Sequence, residues 1–358
     1  MRSLDDLRDD FDPAPGHLDA ATAGVAPRRT AAALRADLDR WAAGALDVGR
    51  YEAAVRTSRE RFAALVGVGT DRVAIGAQVS VMAGTVAASL PDGARVVCAS
   101  GDFSSMVFPF LAQGRRLEVV HAPADRLAEA VTPGTALVAY SLVQSATGAV
   151  LADADIRAAA ADAGARTLCD LTQAAGWLPV DASRYDLSVT AAYKWLCTPR
   201  GVAFLTVAPV VQDALLPVGA GWYAGADPWA SCYGPEMRLA DDARRFDVSP
   251  AWQAWLGAAE SLDAFAGTDQ AAVHAHATGL ADAFRAGLGL GPGSSAVVTL
   301  PDPDGAVRQA LTDGGCRVAG RAGRVRLAFH VWNDAADVDR ALGALAAAGA
   351  RPAVPAAG

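Results

Sequence analysis

Lysine is almost absent from this chain: of 31 basic residues, Lys194 alone is a lysine and all the others are arginines. Cysteine is scarce as well. The five (Cys98, Cys169, Cys197, Cys232 and Cys316) include no Cys-x-x-Cys pair and are odd in number, which argues against a disulfide framework and against a zinc site. An excess of positive charge is missing, because the formal net charge is −8 and the pI about 5.1. A general nucleic-acid binder is therefore not expected, since the phosphate backbone demands clustered cations. No stretch approaches the roughly eighteen apolar residues of a membrane span. At the start, Met1-Arg2-Ser3-Leu4-Asp5-Asp6 puts acids where a secretory signal would be apolar. These absences predict a soluble, cytoplasmic protein with no membrane and no nucleic-acid partner. Three catalytic signatures are also lacking. Gly67-Val68-Gly69 has no third glycine to complete a dinucleotide fingerprint, and neither Gly-x-Ser-x-Gly nor His-Glu-x-x-His occurs.

What is present is a long chain with the means to bury a core: 358 residues, 52% of them hydrophobic. Short apolar runs at 72–75, 95–99, 117–121, 136–141, 167–170, 187–190 and 202–206 read as strands. Helical periodicity at 51–66, 153–163 and from about 79 alternates with them. That alternation is the signature of an α/β fold with a mostly parallel, seven-stranded sheet flanked by helices. After Pro209 the pattern changes. A Gly/Trp/Tyr-rich stretch at 219–234 leads to helices near 251–266 and 270–288, strands near 296–300 and 324–329, and a last helix at 336–348. The expected organisation is an N-terminal arm (1–15), a large α/β domain (16–249) and a smaller C-terminal α+β domain (250–358). An Ala/Pro tail at 351–358 is expected to fray.

Arginine can replace lysine as a cation but not as an amine that forms a Schiff base, because its guanidinium stays protonated. Lys194 lies in Thr190-Ala191-Ala192-Tyr193-Lys194-Trp195-Leu196-Cys197, an apolar setting suited to lowering an amine pKa. Upstream, Thr167-Leu168-Cys169-Asp170 is an apolar strand ending in an acid, and functional groups of parallel sheets gather at such ends. Alone, Asp170 reads as a turn or capping acid. Paired with the one lysine it fits pyridoxal phosphate, where a carboxylate keeps the pyridine nitrogen protonated and a lysine carries the Schiff base.

The run Asp170-Leu171-Thr172-Gln173, Asp181, Tyr193-Lys194-Trp195 and Pro199-Arg200-Gly201-Val202 resembles the class V aminotransferase superfamily of fold-type I pyridoxal-phosphate enzymes. Cysteine desulfurases, kynureninase, isopenicillin N epimerase and ergothioneine C–S lyases belong to it. His17-Leu18-Asp19-Ala20-Ala21-Thr22-Ala23-Gly24 looks like the family's opening strand and turn. The resemblance implies further roles, position by position. Gly76-Ala77-Gln78 would hold the cofactor phosphate, with Ala77 where the family usually has a hydroxyl, so that backbone amides would carry more of the load. Phe103 would stack on the cofactor ring, where desulfurases have a histidine. Gln173 would lie on the side of the phenolic oxygen, and Ser145 stands where desulfurases have an asparagine. Ser249, in Arg245-Phe246-Asp247-Val248-Ser249-Pro250, would lend its hydroxyl to the phosphate of a partner subunit, which implies a homodimer. Arg326, in Val325-Arg326-Leu327-Ala328-Phe329-His330, would fork onto the substrate α-carboxylate. Arg321 and His330 are weaker candidates.

The implied activity begins with a Schiff base to an amino-acid-like substrate and removal of its Cα proton. Desulfurases also need a mobile cysteine. Cys316, in Gly314-Gly315-Cys316-Arg317-Val318, enters a strand rather than an exposed loop, and Tyr193 stands where desulfurases have histidine. The pattern therefore leans to a lyase cleaving a C–S or Cβ bond, ahead of an aminotransferase or epimerase. A non-catalytic relative that keeps only binding is the remaining alternative. The aromatic stretch 222–229 could line a pocket for a larger substrate or cover the core.

Overall fold

The computed structural model describes residues 2–349; the tail at 351–358 lies outside them. Seven strands form the main sheet: β1 (Val73–Gly76), β2 (Ala94–Ala99), β3 (Leu117–Ala122), β4 (Thr135–Ser141), β5 (Arg166–Asp170), β6 (Leu187–Ala191) and β7 (Ala203–Val207). Their order is β1-β7-β6-β5-β4-β2-β3. The run from β3 to β6 is parallel throughout, while β7 lies antiparallel to both β6 and β1. These strands read as continuous apolar runs because helices cover both faces of the sheet, and β1, β6 and β7 are buried at every position. Inverting β7 has a consequence for function. The carboxyl ends of β1, β2, β4, β5 and β6 share one edge with the segment that enters β7.

Twelve helices complete the described residues. Over the large sheet and its N-terminal approach they are α1 (Leu4–Arg8), α2 (Arg28–Ala42), α3 (Val48–Leu65), α4 (Val79–Ser89), α5 (Ser104–Leu111), α6 (Leu127–Ala130), α7 (Asp153–Ala163) and α8 (Pro209–Gln212). Then follow α9 (Trp252–Ala266), α10 (Gln270–Gly287), α11 (Ala306–Asp313) and α12 (Ala335–Ala347). A second, antiparallel sheet, β8 (Val297–Pro301), β10 (Arg324–Ala328) and β9 (Ala319–Arg321) in that spatial order, packs with α10, α11 and α12 around Phe284, Leu311, Leu327 and Phe329.

Two connections cross the boundary expected at residue 249. Helix α9 packs on α2 and α3, and its Trp255 meets Phe204 of β7 edge to face, so it joins the core of the large sheet. At the other end, the segment expected to open the large domain as a strand makes only isolated bridges. His17 pairs with Arg317 and Asp19 with Ala328, and Leu18 is buried in the core around the small sheet. Helices α1, α2, α5, α6, α8 and α11 and the short β9 have no counterpart among the elements expected from the sequence. The reasons are local. Helix α2 begins after Pro27 without a side-chain cap, and α5 carries Pro109 inside it. Strand β9 is three residues long and includes a glycine.

Candidate active site

The shared edge of the sheet frames a cavity of about 380 Å³. Strand β5 ends in Asp170, which is 4% exposed. Its Oδ1 accepts the Thr172 backbone N–H at 2.8 Å, and Thr172 Oγ1 accepts from Ala191 N at 2.9 Å, tying the end of β5 to that of β6. Burial pushes the Asp170 carboxyl up to about 6, against the opposing pull of its hydrogen bonds to Thr172. Three residues beyond β6, Lys194 is 5% exposed. Burial pushes its amine down to about 8; Asp170 opposes the shift, and Arg326, Arg321 and Arg200 add to it.

The turn that carries Lys194 is held from behind by backbone. Gly24 donates its N–H to the Tyr193 carbonyl at 2.9 Å, and a Cβ at Gly24 would lie 2.1 Å from the Lys194 carbonyl oxygen. Gly176 fits as closely: with φ at +110°, its Cβ would lie 2.5 Å from the Trp195 oxygen. Cys197 closes the turn in the left-handed region (φ +55°), unusual for a residue with a Cβ. His330 sits behind the same turn. Its Nε2–H donates to the Trp195 carbonyl at 2.7 Å, and burial holds the imidazole down to about 3, so it is a neutral structural group.

The remaining sequence-predicted residues divide into two groups. Ala77, Gln78, Phe103 and Gln173 line the cavity together with Lys194 and Asp170. Gly76 ends β1 immediately before them, and a Cβ there would meet the Met82 side chain at 2.6 Å. Helix α4 starts after Gln78 with no side-chain cap, so its first N–H groups face the cavity mouth free for an anion. The Phe103 ring centroid lies 5.2 Å from Lys194 Nζ. Gln173 is more occupied than expected. Its Nε2 donates to Ala21 O (3.0 Å) and Ser145 Oγ (3.2 Å), and its Oε1 accepts from Trp195 Nε1 at 2.8 Å. Arg326 stands one residue further out: buried, it donates through Nη1 to Ser145 O and Oγ at 2.5 and 3.1 Å and through Nη2 to Thr22 Oγ1 at 2.9 Å.

Ser249 is exposed and does not line this cavity within the chain. Cys316 is buried in the core around the small sheet, and no cysteine lines the cavity among the described residues. The 222–229 stretch contributes Tyr223, Pro228 and Trp229 to a separate cavity of about 390 Å³ beside Glu52 and Arg59.

Several contributors escaped the sequence reading. Thr22 holds Arg326. Asp102 accepts from Ser141 N and Oγ at 2.7 and 2.6 Å and from Phe103 N at 2.7 Å, which fixes the phenylalanine over the cavity. Arg200 lies 4.6 Å from the Tyr193 ring centroid and also lines the cavity. Each sits inside or next to a motif singled out from the sequence, but a threonine, an aspartate and one arginine of thirty carry no individual signal.

The family profile described as aminotransferase class-V matches residues 19–307. The chain belongs to the class-V aminotransferase family. It is 29% identical to isopenicillin N epimerase of Streptomyces clavuligerus over 321 residues, covering 82% of this chain and 79% of that protein. It is 31% identical to kynureninase of Deinococcus radiodurans over 293 residues, covering 75% and 70%. Among solved structures, the cysteine desulfurase CsdA of Escherichia coli superposes with a TM-score of 0.83 at 18% identity, covering 97% of this chain and 98% of that one. The cystine C–S lyase C-DES does so at 0.82 and 19%, covering 93% and 97%. At such identities these two likenesses establish the fold-type I architecture alone. Another structure of C-DES carries glycine covalently linked to its pyridoxal-phosphate cofactor.

Proposed function

We propose that the chain is a pyridoxal-phosphate enzyme that removes the Cα proton of an amino-acid-like substrate, with C–S or Cβ cleavage as its reaction. One observation carries the reading: the single lysine of the chain stands buried and perturbed beside a buried carboxylate and an aromatic ring, in one cavity at the carboxyl edge of the sheet. The residues fit the cofactor. The N–H groups opening α4 suit its phosphate, the Phe103 ring offers a flat face, and a carboxylate with a raised pKa suits a protonated ring nitrogen.

Bound there, pyridoxal phosphate supplies an aldehyde that condenses with amines and a ring that withdraws electrons from Cα. The chain does the rest. Lys194 would hold the cofactor through its amine, which a pKa near 8 leaves partly unprotonated close to neutral pH, and its Nζ would be the base for the Cα proton. Asp170 would be the residue that keeps the cofactor's ring nitrogen protonated. Ser145 accepts from both Gln173 and Arg326, which leaves its own hydroxyl proton to donate into the cavity. Arg326 orients the substrate carboxylate through its guanidinium fork. Ser249 completes the phosphate site of a second copy, so the working unit is a homodimer. The small domain expected from residue 250 would open with α9, which packs against the large one.

Burial of Cys316 and the absence of any cavity thiol favour direct elimination or cleavage over sulfur transfer to a cysteine. Aminotransferase and epimerase chemistry are the alternatives within the family. The test is the visible spectrum with pyridoxal phosphate, then borohydride reduction and peptide mapping. We expect one pyridoxyl group, on Lys194; folded protein with no adduct overturns the reading. Product analysis then decides the reaction. Released ammonia or a cleaved side chain supports the lyase, and pyridoxamine phosphate without release supports transamination.

A further inference from the structure

Three arginines act on Lys194 as nearby positive charges, and their surroundings differ. Arg326 is buried, its Nε has no hydrogen-bond partner, and its nearest carboxylate, Asp19, is 4.0 Å away. Arg200 lies over Tyr193. Arg321 is exposed at the end of β9. It donates to its own neighbour's carbonyl, Gly320 O, and to Thr22 Oγ1 at 3.3 Å. Among the described residues neither Arg200 nor Arg321 forms an ion pair with a carboxylate.

The arrangement is a graded path. Ser145 lines the cavity and holds Arg326; Thr22 holds Arg326 on its outer side and also receives Arg321. Two guanidinium groups thus end on one hydroxyl oxygen, although like charges repel when no anion sits between them. They come from different strands: Arg326 faces inward from β10, and Arg321 lies across the β9–β10 turn, where it pairs with Arg324 in register. A substrate carboxylate on Arg326 uses one fork. The second fork, exposed and hydrogen-bonded only to the Gly320 carbonyl and Thr22, has donors left for a group that extends beyond the reacting carbon.

We propose that Arg321 is the seat for a second anionic group, so that the substrate is an amino acid bearing a further carboxylate on its side chain or tail. This deepens the proposed function and rests on it. The competing arrangement puts both guanidinium groups on a single carboxylate, and the two differ in what they select.

The experiment is isothermal titration of the protein, with pyridoxal phosphate and without it, using butyrate and valerate against glutarate and adipate. The expected result is that a dicarboxylate binds about tenfold more tightly than the monocarboxylates, a charge-assisted fork's worth of affinity. Arg321→Gln removes that preference and leaves monocarboxylate affinity within about twofold, while Arg321→Lys keeps part of it. Equal affinities in the unaltered protein overturn the proposal. So does an Arg321→Gln variant that weakens both classes alike, the signature of one shared carboxylate. Thermal melts establish that the variants fold, as expected for an exposed side chain. The cofactor reading is judged separately, by the absorption band on adding pyridoxal phosphate. If no band forms, that reading fails, and the ranking in cofactor-free protein still decides the second seat.

Discussion

At Lys194 the competing influences on one amine can be separated. Desolvation and three arginines lower its pKa, and Asp170 alone raises it, with about 8 as the outcome. Only the free amine attacks an aldehyde. The rate of adduct formation between cofactor-free protein and pyridoxal phosphate should therefore climb with pH and level off above about 8, rather than near the ordinary 10.5. Asp170 is ionised above about 6, so replacing it with asparagine removes the charge that favours the ammonium form. Asp170→Asn should move the midpoint to lower pH, as read by stopped-flow absorbance across a pH series. An unmoved midpoint would mean that the carboxylate does not act on the amine. Lys194 and Asp170 could be found from sequence because one is unique and the other ends an apolar strand. Thr22 and Asp102 could not, since their importance lies in whom they touch. Gln173 was legible as a position; that its amide would be taken up by Ala21, Ser145 and Trp195 was not.

Among the elements, β1 depends on a buried ion pair. Arg59 of α3 meets Asp247 at 2.6 and 3.2 Å and also donates to the Val73 carbonyl, while Asp247 accepts the Ile75 N–H at 2.8 Å. Helix α3 and the segment before α9 thus pin the strand whose end becomes the Ala77-Gln78 turn. Burial raises the Asp247 carboxyl even with the arginine beside it. Arg59→Met would leave that charge uncompensated and should cost about 3–5 kcal/mol in urea unfolding, with Arg59→Met/Asp247→Asn recovering a good part of the loss. A single variant costing under about 1 kcal/mol would show that the pair does not brace the strand. The apolar runs marked every main-sheet strand: burial leaves a largely continuous hydrophobic stretch in the inner ones, and the edge strand β3 keeps Leu117, Val119 and Val120 alongside its exposed Glu118 and His121. They were silent on direction. An antiparallel β7 and a parallel one bury the same residues, and only the inverted strand brings Arg200 and Gly201 to the cavity edge.

On the scale of the whole molecule, apolar surface remains uncovered. Val81 of α4 and Phe108 and Leu111 of α5 are 51%, 64% and 46% exposed, on two helices packed against each other. Monomeric proteins rarely leave large contiguous apolar patches open. Sedimentation should return twice the 36.6 kDa chain mass, and Phe108→Asp should shift the protein toward the monomer. A monodisperse monomer of the unaltered chain would remove the expected role of Ser249 in a partner's site. Among the described residues no helix is long and apolar enough to cross a membrane.

By itself the sequence determined the α/β class, the alternation of strands and helices, and the lysine–aspartate pair. These depend on hydrophobic period, strand-end position and a residue type with no substitute for its chemistry. Tertiary structure decided what depends on contacts between distant segments. It set the direction of β7 and joined residues 16–19 to the small sheet. It packed α9 on the large one and converged Arg321 and Arg326 on Thr22. Such contacts join residues from about a dozen to some three hundred positions apart, where no local period or composition records which surfaces will meet.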